Sequence, residues 1–234
     1  MKLILSGLLI TASNFLYSQN IAIQFAAITN GKASQEELII NDSMSIYNAK
    51  NENTSAIKEE PFLIKRKVEN AIYQRTGIFN VLFYVKDSLN SMRWQLQNET
   101  KDILNQKCLS ARTHFRGRDY IAYYTTEFPL SDGPWKFGGL PGLILEVKSD
   151  DNFIQFTATK IVNNYKNKTQ QIRITDYQFL EWNDYTIRFI STIDSYVKLC
   201  RSNGAIGAGE TATIKIDAPE IIYPKVQLGD GISF

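Results

Sequence analysis

The sequence predicts an α+β protein that is mainly antiparallel β, a curved sheet or partial barrel with one long amphipathic helix at about 177–202 packed on it. Three observations carry this reading. β-branched and aromatic residues gather in consecutive runs of strand length. Turn-forming residues separate those runs closely, which favours hairpins over βαβ crossovers. The apolar period lengthens to three or four only once, near the C-terminal end.

The elements follow in order. IAIQFAAI (21–28) reads as a strand. Residues 29–60 are polar, interrupted by short apolar stretches at 38–40 and 44–47, and 48–60 reads as an exposed loop. From Pro61 the β signal strengthens, and Ile78, Phe79, Val81, Leu82, Phe83 and Val85 are strand-forming types. Met92, Trp94 and Leu96 alternate with Arg93, Gln95 and Gln97, which predicts a half-buried strand. Around Arg116-Gly117-Arg118 the pattern is a hairpin with glycine in the turn, and a second pair of strands flanks Ser149–Asn152. Trp182, Tyr185, Phe189, Ile193, Tyr196, Val197 and Cys200 then share one helical face. Asp176 is placed to cap that helix and Asn203-Gly204 to stop it. Residues 211–216 read as a last strand.

Composition narrows the function classes. Lys plus Arg total 26 and Asp plus Glu 24, a formal net charge of +2. That balance leaves no electrostatic footprint for nucleic acid and no strong attraction to an anionic membrane. One His, two Cys and three Met make the chain poor in soft metal ligands, so no metal or cofactor is predicted. Residues 1–18 place Lys2 before an apolar run from Leu3 to Ile10 and end on Ser18, the plan of a secretory signal peptide. Cleavage after Ser18 leaves 19–234 as a single β-rich domain with no transmembrane segment, exported to the periplasm or beyond the cell. In that compartment Cys108 and Cys200 either pair as a disulfide or remain two buried thiols; spacing alone cannot decide.

The least random stretch is 127–147, dense in proline and glycine. Within it, Gly139-Leu140-Pro141-Gly142-Leu143-Ile144 spells GLPGLI. Pro141-Gly142 suits the corner of a type II turn, with glycine supplying a positive φ, and Leu140, Leu143 and Ile144 would clamp that corner into the core. Gly133-Pro134 marks a second turn. These residues, with Trp94, Cys108, Ala111, Tyr124-Thr125, Glu127, Pro129 and Phe137, resemble the GLPGLI family over about residues 60–160. Tyr123 and Phe128 depart from that pattern. The resemblance implies an exported envelope protein of a family whose members are sometimes encoded near outer-membrane receptors, and with that a role in envelope transport.

Catalytic signals are sparse. There is no G-x-S-x-G pentapeptide, and no glycine-rich loop leads into Lys-Ser or Lys-Thr. His114 is the sole imidazole, near a hairpin where an exposed strand residue is the ordinary expectation. Glu127, Asp132 and Glu146 flank the GLPGLI corner and could converge as acid and base. Their plainer roles are loop hydrogen bonding, turn building and a solvent-facing strand position. Lys107, Arg112, Arg116 and Arg118 form a basic group suited to an acidic partner or to a solvated strand face. The sequence therefore favours a non-enzymatic exported protein that binds a ligand or an envelope partner, with a cavity between sheet and helix as its natural site. The rival is a hydrolase using Glu127 with Asp132, Glu146 or His114, and a third reading is an accessory factor of an outer-membrane receptor.

Overall fold

The computed structural model describes residues 20–50, 63–89, 91–165, 174–207, 209, 213–214, 218–223 and 232–233. The expected leader 1–18 lies outside them, as do residues 51–60 of the expected loop; residues 48–50 belong instead to a strand. The strands are β1 (Ile21–Thr29), β2 (Lys32–Ile40), β3 (Met44–Lys50), β4 (Leu63–Arg66), β5 (Ala71–Ile78), β6 (Val81–Ser88), β7 (Gln95–Ile103), β8 (Gln106–Phe115), β9 (Arg118–Thr125), β10 (Leu143–Ser149) and β11 (Ile154–Val162). A 3₁₀ turn (Ile174–Asp176), the two-residue β12 (Leu180–Glu181) and helix α1 (Trp182–Ser202) follow, and β13 (Thr213–Ile214) pairs with β14 (Ile232–Ser233).

β1 to β12 form one open twelve-stranded sheet in the order β12-β6-β5-β4-β3-β2-β1-β11-β10-β9-β8-β7. Its pairings are antiparallel, apart from β12, which runs parallel to β6. The fold is therefore mainly antiparallel β with a single helix. Tight turns explain the register. Asn30-Gly31 (φ 48° and 72°) and Arg116-Gly117 (φ 50° and 84°) each place two successive residues at positive φ, the geometry whose twist matches a two-residue hairpin.

One strand differs from expectation. Met92 and Trp94 precede β7 and pack against the core, while β7 itself is exposed from Gln95 to Asp102 and Leu96 is 64% exposed. β7 ends the sheet, so only one side of it has a neighbour to pack against. A register shift between Leu96 and Thr100 and its charged residues blunt that edge.

The core is organised by the loop joining β9 to β10. Trp135, Phe137 and Leu140 from this loop are buried among residues of strands on both sides of the sheet order. Phe137 meets Tyr120 edge-on at 5.0 Å, Trp135 at 5.4 Å and Phe156 at 6.3 Å. Lys65 of β4 reaches into the loop and donates to Asp132 Oδ1 (2.8 Å), the Gly133 carbonyl (2.7 Å) and the Phe137 carbonyl (2.7 Å). The positive φ of the GLPGLI corner falls on Gly139 (86°) rather than on Gly142. Gly142 is needed for a different reason: a Cβ there would stand 2.2 Å from the Thr125 carbonyl oxygen.

Helix α1 buries Tyr185, Phe189, Ile193 and Val197, a four-residue stripe, against Ile78, Phe83 and Val85 of β5 and β6. It begins at Trp182, with Glu181 at the N-cap position and no side-chain cap. Asp176 does not cap it, because Leu180–Glu181 pair with Val85–Lys86 and keep the chain extended until that point. Cys108 and Cys200 are free thiols. The disulfide alternative is thereby corrected: Cys108 sits fully buried on β8 in the main core, and Cys200 lies half-buried in the last turns of α1.

Two outcomes follow. Gly142→Ala forces backbone apart and lowers stability by about 2–3 kcal/mol in urea unfolding, the cost of overpacking, whereas Gly138→Ala, which meets only an ordinary contact at 3.4 Å, costs under about 1 kcal/mol. Burial pushes the Cys108 thiol up to about 11. Native alkylation followed by mass spectrometry therefore labels Cys200 alone, and denaturation without reductant exposes both thiols.

Candidate ligand cleft

The four predicted acid–base residues are held in separate places. Asp132 is 2% exposed and accepts from Lys65, from Ser45 Oγ (2.7 Å) and from the Gly133 amide (2.8 Å). Glu146 on β10 receives the Lys101 ammonium on both oxygens at 2.7 Å. Glu127 is exposed, and its backbone amide donates to Thr125 Oγ1. His114 is 66% exposed beside Asp119, with Nδ1 2.8 Å from its carboxylate. Three of the basic residues also have acidic partners: Arg112 binds Asp150, Arg116 binds Asp87 and Arg118 binds Asp151, each at 2.9 Å.

A second polar cluster lies where β6, the β8–β9 turn, α1 and the segment 218–223 meet. Asp87, next to last in β6, accepts two bonds from Arg116 Nη2 (2.9 and 3.0 Å) and one from Lys136 Nζ (3.0 Å). Lys136, fully buried, also donates to Glu220 Oε1 at 2.7 Å. The Arg116 guanidinium lies 3.2 Å from the Trp182 ring centroid, with Lys136 Nζ at 4.5 Å. Two cations over one aromatic ring thus meet two carboxylates directly, which offsets the cost of removing all four from water. Burial pulls Arg116 down from its ordinary pKa, against the opposing pull of Asp87 and Glu220. The contact between Asp87 and Arg116 also joins opposite ends of the strand order.

The same neighbourhood fixes the segment 218–223. Arg118 donates to the Ala218 and Pro219 carbonyls (3.3 and 2.7 Å), the Ile221 amide donates to the Arg116 carbonyl, and Tyr223 Oη donates to Asp194 of α1. Gly117 leaves room for Ile221; a Cβ there would stand 2.8 Å from it. Between this segment, the β5–β6 tip and α1 opens a cleft of about 220 Å³. Its walls include Ile78, Phe79, Phe189 and Ile222, with Thr76, Tyr185 and Glu220 as polar groups. Burial pushes the Tyr185 hydroxyl up to about 12, so it stays protonated and available as a donor. Sequence reasoning placed a cavity between sheet and helix but missed Asp87, Lys136, Trp182 and Glu220. Their separations in the chain leave no local pattern to read.

Among the described residues, no helix is long and apolar enough to cross a membrane, and no group of three acidic, His or Cys side chains could hold a metal ion.

Lys136→Ala strands Asp87 and Glu220 beside Arg116 alone and costs about 3–5 kcal/mol in chemical unfolding, while Lys136→Met with Glu220→Leu costs less than the single change. Burial works to raise Asp151, but bonds from Ser149, the Phe153 amide and Arg118 outweigh it and hold its pKa below the ordinary 3.8. A depressed carboxylate contributes stability that is full above its ordinary value and lost as pH falls through the folded one. Asp151→Asn therefore flattens the acid limb of a stability–pH curve and leaves its slope near neutral pH unchanged.

Comparison with known proteins fixes the family. Two solved structures of PNGF-II, in the P21 and C2 space groups, share 19% and 20% sequence identity with this chain at TM-scores of 0.53 and 0.52. Each match covers 70% of this chain and 31% of the other, so the chain spans under a third of the length of these relatives. At this identity the likeness is one of fold. No curated protein matches the chain. A family model described as N-glycanase peptide, N-terminal domain, matches residues 19–188, a range that contains the whole 127–147 segment. The resemblance to the GLPGLI family is overturned by that match; the chain belongs to the N-glycanase peptide, N-terminal domain family.

Proposed function

We propose that this chain is an exported, non-enzymatic binding module that recognises N-glycan-bearing peptides through the cleft between the β5–β6 tip, α1 and residues 218–223. The observation that carries the reading is the contrast between two regions. Asp132 and Glu146 are each occupied by a lysine, Lys65 and Lys101, whereas the cleft combines apolar walls with a few polar groups. The family and the PNGF-II likeness supply the ligand class. In this reading residues 19–234 form one β-rich domain whose sheet, a partial barrel, is a scaffold for the cleft. The family match begins at residue 19, directly after the expected signal cleavage, which supports export.

The test is incubation of the purified protein with an N-glycosylated peptide and with the same peptide lacking its glycan. Calorimetry is expected to give saturable binding to the glycosylated form only, and mass spectrometry to find the glycan still attached. Release of free glycan would replace this reading with the hydrolase one.

A further inference from the structure

We infer that the cleft is built for a single neutral pyranose ring, an inference that rests on the binding-module reading and names the ligand unit it takes. Size comes first. About 220 Å³ lies below the roughly 300–1,000 Å³ typical of sites for drug-sized ligands, so it has room for one ring-sized molecule rather than an acyl chain or a peptide.

Lining chemistry comes next. A pyranose offers an apolar C–H face and a rim of hydroxyls. The cleft offers aromatic rings at Phe79, Tyr185 and Phe189, and hydroxyls at Thr76 and Tyr185. Its carboxylate is Glu220, whose Oε1 meets both Lys136 and Arg116; Oε2 is the acceptor it would offer a sugar hydroxyl. Charge then selects. Asp87 and Glu220 are matched by Arg116 and Lys136, so an ionic ligand would unbalance a closed group, and a neutral hydrogen-bonding one would not.

Phe79 supplies an independent observation. It stands at φ 51° in the β5–β6 turn, a conformation that a bulky side chain rarely adopts and that glycine takes freely. Its ring is nevertheless 45% exposed and stacks on Tyr196 at 4.2 Å. That φ belongs to the two-residue hairpin in which Ile78 pairs with Val81, the geometry also seen at Arg116. The turn holds an aromatic face at the mouth of the cleft.

The experiment is saturation-transfer NMR with titration, using the methyl glycosides of N-acetylglucosamine, mannose and galactose. At least one is expected to bind saturably, with strongest transfer to its ring C–H protons. Phe79→Gly, which relieves the backbone strain, and Thr76→Val are each expected to weaken that binding about tenfold, the scale of one lost contact, with melting temperature in Phe79→Gly held near wild type. Unchanged affinity in both variants overturns the inference. So does binding of the whole glycopeptide without binding of any glycoside, an outcome that leaves the module reading intact. Failure of both ligands to bind overturns the two together.

Discussion

The Lys65 ammonium has three N–H donors, and the fold uses all of them on one loop: Asp132, the Gly133 carbonyl and the Phe137 carbonyl. The group is 1% exposed, and burial pulls its pKa down against the opposing pull of Asp132. An ammonium in such a place is tolerable only with full pairing, and removing one partner leaves an uncompensated charge. Ser45 on β3 secures the other Asp132 oxygen, and Trp94 Nε1 donates to the Gly138 carbonyl. The loop between β9 and β10 has little strand pairing of its own, so these contacts satisfy its backbone. With the loop pinned, Phe137 and Trp135 fill the core, and Lys136 between them reaches Asp87 and Glu220 on the far side.

That constraint also separates structure from chemistry. Asp132, one of the three acids flanking the GLPGLI corner, serves as counter-ion to a buried lysine. The region open to a ligand lies where α1 covers β5 and β6. There the cluster of Asp87, Arg116, Lys136 and Glu220 holds residues 218–223 against the β8–β9 turn, and those residues form one wall of the cleft.

Local features were legible in the sequence. The hairpin at Arg116-Gly117, the strand pair around Ser149–Asn152 and the stripe of Tyr185, Phe189, Ile193 and Val197 follow from periodicity and turn chemistry. The helix stop was also readable, since Asn203 is the C-cap and Gly204 takes φ 72°. Asn30-Gly31 carried an equally plain hairpin signal that went unread. The rest depends on distance. Lys65 and Asp132 are 67 residues apart and Lys136 and Glu220 are 84 apart, so no window of sequence contains either pair. GLPGLI misdirected the family reading for a steric reason. Its glycines answer to a close carbonyl at Gly142 and a positive φ at Gly139, and its Leu and Ile residues to burial.

We propose that recognition occurs at the α1 seam and that the proline- and glycine-rich segment is structural. Hydrogen–deuterium exchange on the protein with and without an N-glycosylated peptide tests it most directly. Slowed exchange is expected at residues 76–82, in the first turns of α1 and at 218–223, with 127–147 unchanged. Protection centred on 127–147, with the α1 seam unaffected, would contradict it.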